Sequence, residues 1–220
     1  MPSRTYVLVP GAGGSGWAWH LVAERLREHG HAAIPVDLPA ADDSADLNTY
    51  ADVIVEAAGD APDVVLVAHS LGGFSAPLAC ARLPVSEIIL VNAMIPAPGD
   101  SGSRWGETTG YQLDGELDLD EHFFNDVPKE LAEQAMAHEQ PESESAFEQR
   151  WPLDAWPDVP TRVLAGADDR FFTPDFQVRV ARERLGLTAQ LVPGGHMVAL
   201  SRPDELTAAI LGDGAAAPAR

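Results

Sequence analysis

Six apolar runs of strand length recur along this 220-residue chain, at 5–9, 32–36, 64–68, 87–91, 161–165 and 188–192. Each is nearly continuous rather than alternating, as a strand buried on both faces must be, and each is bounded by turn residues. Helical patterns lie between most of them. Trp17 to His29 sets Leu21, Val22 and Leu26 at helical spacing, with Gly30 as a stop. Leu47 to Ala58 follows Ser44 and Asp46, either of which can cap it. Leu71 to Leu83, Phe176 to Leu185 and Pro203 to Leu211 continue the series. Such alternation predicts an α/β fold: a doubly wound, mostly parallel six-stranded sheet with helices on both faces and right-handed crossovers. Pro77 predicts a kink in the third helix, because its ring excludes a backbone hydrogen bond.

The regularity fails only between 92 and 160. That stretch opens with a Gly/Pro/Ser-rich run, carries one helical pattern from Pro128 to His138, and ends in the proline-punctuated Trp151 to Pro160. It reads as an insertion at 96–158 into a core formed by 1–95 and 159–220, a size suited to one domain. The chain's charge concentrates there. Of a net −20, residues 99–158 contribute −13, from 16 Asp/Glu against Arg104, Lys129 and Arg150. One reading is a solvated surface segment; the sharper one is a lid whose carboxylates face solvent and whose Trp and Phe side chains face a site.

The charge also excludes partners. Phosphate is repelled, so neither nucleic acid nor an anionic membrane is expected, and no apolar run approaches the ~20 residues of a spanning helix. No leader-like segment precedes Tyr6-Val7-Leu8-Val9, so a cytoplasmic location is expected, and the tail 212–220 is expected to fray. A single cysteine, Cys80, excludes an internal disulfide or a cysteine-rich zinc site. The expected partner is a small molecule; a homodimer is compatible with the sequence.

Two motifs compete for the chemistry. Gly11-Ala-Gly13-Gly-Ser-Gly16 matches G-x-G-x-x-G after a strand and before a helix, and Asp37 ends the second strand where a dinucleotide fold places its ribose acid. Against this, bulky Trp17 and Trp19 follow the third glycine. The Tyr-x-x-x-Lys pair of a short-chain reductase is also absent, because the only lysine, Lys129, has Asn125 four residues before it. The second motif is Ala68-His69-Ser70-Leu71-Gly72-Gly73, between a strand and a helix, with the form of a nucleophile elbow carrying Ala for its first Gly. The sharp turn needs small neighbours, and it puts Ser70 at a helix N-terminus whose dipole favours developing negative charge. A serine needs a base and an orienting acid. Gly166-Ala-Asp168-Asp169 follows the fifth strand and Gly194-Gly195-His196 the sixth, giving the chain order Ser, Asp, His. All three then fall at carboxyl ends of parallel strands. Physics alone leaves Asp168 and Asp169 equal candidates; the other histidines read as surface or core residues.

These stretches, with Val9-Pro-Gly-Ala-Gly-Gly-Ser-Gly-Trp17-Ala-Trp19, Phe123-Phe-Asn-Asp-Val-Pro128 and His196-Met-Val-Ala-Leu-Ser-Arg-Pro203, resemble the α/β-hydrolase superfamily. More narrowly, they resemble its small-lidded branch of plant methyl esterases, hydroxynitrile lyases and bacterial relatives. The resemblance implies the acid is the fourth residue of G-x-x-D, Asp169, and that the glycine-rich loop is an oxyanion loop. Backbone N–H groups of Ala12 and Leu71 would then be the donors. Pro10-Gly11 stands where the family has His-Gly, and Met197 where the lyases have lysine, which disfavours lyase activity. The implied function is a cofactor-free, metal-free serine hydrolase, carboxylesterase-like, acting on a small, largely apolar ester. Trp17, Phe74, Met94, Trp105, Phe123 and Phe124 are its pocket candidates. The alternatives are a slow or non-catalytic ligand-binding receptor on the same fold, or thioester or C–C hydrolysis at the same triad.

Overall fold

The computed structural model describes residues 3–113 and 115–212; the tail expected to fray lies, from 213 on, outside the described residues. Thr5–Val9 (β1), Ala32–Pro35 (β2), Val64–His69 (β3), Val85–Val91 (β4), Thr161–Gly166 (β5) and Gln190–Val192 (β6) form one sheet in the order β2-β1-β3-β4-β5-β6. Every pairing is parallel, with Val7 between Ile34 and Leu66, and Leu90 between Ala68 and Val163. The doubly wound sheet expected from the buried runs is therefore present.

A 3₁₀ turn, Gly16–Trp19, leads into His20–Glu28 (α1). Leu47–Ala58 (α2) is capped by Asp46, whose carboxylate accepts the Thr49 N–H at 2.8 Å. After β3, Gly72–Ser75 (α3) gives way to a 3₁₀ turn over Ala76–Ala81 with Pro77 in its first turn, the break that its missing N–H requires. Between β4 and β5 lie Trp105–Thr109 (α4), Leu119–His122 (α5), Lys129–His138 (α6) and Glu144–Glu148 (α7). Pro174–Leu185 (α8) ends at Gly186, whose left-handed φ of 69° suits glycine. Val198–Ser201 (α9) and Pro203–Leu211 (α10) follow β6.

Alternate residues of the central strands feed two cores. Val7, Leu66, Ala68, Ile88, Leu90 and Val163 pack beneath α2, α3 and α8. Leu8, Val65, Val67, Ile89, Val91 and Leu164 pack beneath α1, α9 and α10. Every residue of β3 is buried, which is why its sequence shows no polar alternation. Trp105, Ala146 and Trp151 of the insertion join the first of these cores, so the 96–158 segment shares the sheet's apolar packing. β4 begins at Val85, two residues before the 87–91 run, and within it Glu87 pairs with Arg162 and with Arg4. β1 continues to β2 on one side while β3 lies on its other side, so the loops after β1 and β3 diverge. A crevice opens there, at the carboxyl ends of the strands.

No helix among the described residues is long and apolar enough to cross a membrane.

Candidate active site

Ser70 follows β3 at φ 48°, in the left-handed region that side-chain-bearing residues avoid. Its backbone is held there: the carbonyl accepts N–H bonds from Gly73 (3.2 Å) and Met94 (2.9 Å). The glycines around it are steric requirements. A Cβ on Gly72 would lie 2.5 Å from the Pro10 carbonyl oxygen, and one on Gly73 would collide with that of Met94. Such strain persists only where surrounding contacts over-determine it.

The loops after β5 and β6 bring Asp169 and His196 to this serine. His196 Nε2 lies 3.2 Å from Ser70 Oγ, and Nδ1 lies 2.9 Å from Asp169 Oδ2. All three residues are buried. Asp169 is oriented through both oxygens: Oδ1 accepts the N–H groups of Phe171 (2.8 Å) and Phe172 (2.9 Å), and Oδ2 accepts Gln177 Nε2–H (3.1 Å). Asp168 does other work. It is exposed, and its Oδ2 accepts the Gly194 N–H at 3.2 Å, bracing the loop that carries His196. The choice that sequence physics left open thus falls to geometry, and Asp169 faces the imidazole.

Two positioning residues had not been singled out from the sequence. Asn92, wholly buried after β4 at φ 46°, donates from Nδ2 to the carbonyls of Gly195 and His196, both at 2.9 Å, and accepts the Gly166 N–H at 2.6 Å. One amide therefore ties the end of β4 to the end of β5 and to the histidine loop. Asn92→Ala leaves the Gly166 N–H without its acceptor. We expect a loss of roughly 1–3 kcal/mol, read as a fall of about 2–12 °C in Tm by calorimetry.

His69 is the second. Its Nε2 lies 3.0 Å from the His196 carbonyl oxygen, so the neutral tautomer bearing that proton donates to it. Burial, and then the neighbouring His196, push its pKa down to about 3. A histidine with a lowered folded-state pKa stabilises the fold above its unfolded value of about 6.5. That contribution is lost as pH falls toward the folded value. Between pH 6 and pH 3.5, unfolding free energy from urea titrations should fall more steeply in the wild type than in His69→Gln, by up to about 1.4 kcal/mol per pH unit. Equal slopes would remove His69 from the acid response.

Three amides of the glycine-rich loop already have acceptors, which counts against a pyrophosphate there. Gly13 N–H is taken by Glu142 Oε2 (2.9 Å), Gly14 N–H by the Gly11 carbonyl (3.2 Å) and Gly16 N–H by Asp37 Oδ1 (2.8 Å). A pyrophosphate would need these amides, and Asp37 stands in its place rather than at a ribose. The Ala12 and Leu71 N–H groups differ: both residues border the pocket, and neither amide has an acceptor among the described residues. Glu142, raised in pKa by burial, also accepts the Tyr50 hydroxyl at 2.7 Å, so the insertion braces this loop.

Ser70 opens into a cavity of about 380 Å³. Of the six pocket candidates, Trp17, Met94, Trp105 and Phe123 border it. Phe74 and Phe124 do not. Phe74, a residue of α3, is wholly buried in the core, and Phe124 packs with Ala132, Ala135 and Leu200 instead. Their places are taken by Tyr111, Phe147, Phe171, Phe172 and Met197. Phe171 and Phe172 had a signal in the sequence, since they directly follow the acid loop. Phe123, Phe171 and Phe172 surround the His196 ring at centroid distances of 4.8, 5.0 and 5.3 Å, keeping bulk water from it. Of the insertion's acids, Asp100 is buried against Arg184, Asp126 and Glu142 are half-buried, and Asp114 lies outside the described residues. The others are exposed.

A family model described as the alpha/beta hydrolase family matches residues 6–209. A probable esterase of Oryza sativa subsp. indica is 38% identical over 108 residues, 44% of this chain and 41% of that protein. Methyl jasmonate esterase 1 of Vitis vinifera is 36% identical over 109 residues, 43% and 41% of the two chains. The chain thus spans about two-fifths of the length of the curated relatives it matches. Among solved structures, polyneuridine aldehyde esterase superposes with a TM-score of 0.79 at 21% identity, covering 96% of this chain and 99% of that one, a likeness of fold.

Proposed function

Because the chain belongs to the alpha/beta hydrolase family, we propose that it is a serine carboxylesterase cleaving small, largely apolar esters through an acyl-enzyme on Ser70. The observation that carries this reading is the unbroken relay from Ser70 Oγ through His196 to Asp169, at 3.2 and 2.9 Å, opening on a mostly apolar cavity.

In the first step Ser70 Oγ bonds to the ester carbonyl carbon as His196 Nε2 takes the hydroxyl proton. Negative charge forms on the carbonyl oxygen, where the two unengaged amides of Ala12 and Leu71 receive it. Such donors act without reorganising, and each is typically worth about 3 kcal/mol. The carbon–alkoxide bond then breaks, and the imidazolium gives its proton to the departing alcohol. Water enters, loses a proton to His196 and bonds to the acyl carbon. The bond to Oγ breaks and Oγ recovers the proton. One ester and one water become one acid and one alcohol.

Asp169 holds the imidazole with its Nδ1 proton inward and stabilises the imidazolium. His69, held neutral, adds no second positive charge beside it. The 96–158 segment is assigned as the lid, since it supplies Trp105, Tyr111, Phe123 and Phe147 to the cavity wall.

A panel of methyl, aryl and thioesters of short acids tests this reading. Turnover of the methyl or aryl esters, with a burst of aryl alcohol equal to the enzyme concentration, is the expected result. Folded protein that turns over none of them would overturn it, and thioester turnover alone would move the reading to a thioesterase.

A further inference from the structure

The cavity wall is unequal in its chemistry. Trp105, Tyr111, Phe147, Phe171 and Phe172 give it an aromatic surface, while the one charged side chain bordering it is Glu139; no lysine or arginine does so among the described residues. Glu139 follows the last residue of α6, so its carboxylate sits where the carbonyl end of that helix already makes the potential negative. Its carboxylate forms no hydrogen bond or ion pair with any described residue, and burial alone holds its pKa above the usual carboxylate range. Although the residue is largely exposed, its carboxylate has no counter-charge at the pocket border, and an incoming cation supplies one. Aromatic faces attract the same cation. The exposed acids of the surrounding lid add a field of the same sign.

We propose that the pocket selects esters bearing a compact cationic group, a quaternary or protonated ammonium, with Glu139 as its counter-charge and the aromatic wall as its seat. The proposal rests on the esterase reading of Ser70 and adds a substrate class to it. His138 and His20 lie on Trp17, at 4.9 and 4.4 Å between ring centroids, and would oppose a cation if protonated. The test is therefore run near pH 8, above the ordinary histidine pKa of about 6.5.

Two isosteric pairs separate charge from shape. Acetylcholine is compared with 3,3-dimethylbutyl acetate, placing the charge on the alcohol side. Methyl 4-(trimethylammonio)butanoate is compared with methyl 5,5-dimethylhexanoate, placing it on the acyl side. In the wild type, kcat/KM should favour the cationic member of at least one pair about tenfold, and less as salt is raised. The ratio should collapse toward one in Glu139→Gln and fall below one in Glu139→Lys. Each ratio is internal to one enzyme preparation, so a general loss of activity does not alter it.

A ratio near one for both pairs in the wild type, or one that Glu139→Gln leaves in place, overturns the proposal. Equilibrium binding of the same pairs to Ser70→Ala reads the subsite without turnover. Charge discrimination there, with no hydrolysis by the wild type, supports the subsite and counts against the esterase reading. Equal affinities within both pairs overturn the subsite, whatever the hydrolysis.

Discussion

Ser70→Ala lowers kcat/KM for a small neutral ester by on the order of 10⁵-fold, the largest effect expected of any single substitution. Oγ is the atom to which the acyl group bonds, and in the resting protein its hydrogen-bond partner is His196 Nε2. Alanine keeps the same Cβ at the same φ of 48°, so the elbow's strain is unchanged. The backbone bonds from Gly73 and Met94 to the Ser70 carbonyl also remain. Stability should stay within a few degrees of the wild type while turnover disappears. Activity falling less than about tenfold in a verified Ser70→Ala preparation would mean another nucleophile.

Asp169→Asn is expected to cost about 10⁴-fold in kcat/KM with the fold intact, for a reason the hydrogen bonds supply. Oδ1 accepts two backbone N–H groups, so an asparagine must keep its carbonyl oxygen there. Its NH₂ group then replaces Oδ2 and faces His196 Nδ1 as a donor. That turns the imidazole to the tautomer protonated at Nε2, which cannot take the Ser70 proton. The Gln177 amide loses its acceptor but still donates to the Phe172 carbonyl at 2.6 Å, which limits the structural damage. Because Ser70 and Asp169 act through one imidazole, the double variant should be no slower than Ser70→Ala alone. Kinetics with an activated aryl ester, paired with calorimetry, check both statements. Additive losses would contradict them.

The sheet was legible in the sequence because burial on both faces writes itself as uninterrupted apolar runs. β3, α2 and α10 lie where their residues put them. Element ends were less legible: β4 starts at Val85, two residues before the apolar run, and β6 keeps only three of the five residues expected. The order of Ser70, Asp169 and His196 along the chain, each after a strand, made their meeting legible too. Asp168 and Asp169 were not separable, because adjacent residues in a loop point apart and only tertiary hydrogen bonds say which points inward. Asn92 was hidden for a related reason. An asparagine ending a strand ordinarily makes a local turn, whereas this one spends its amide on residues more than seventy positions away. Pocket aromatics such as Phe147 depend on how the insertion folds back, which no periodicity encodes.

We propose that Ser70 is a nucleophile activated by His196 and Asp169. The most direct measurement is labelling with a fluorophosphonate, followed by peptide mass spectrometry. A single phosphonyl adduct on Ser70 in the wild type, absent from Ser70→Ala and formed far more slowly in Asp169→Asn, is the predicted result. Folded, monodisperse protein whose Ser70 stays unlabelled, or whose adduct lies on another residue, would contradict it.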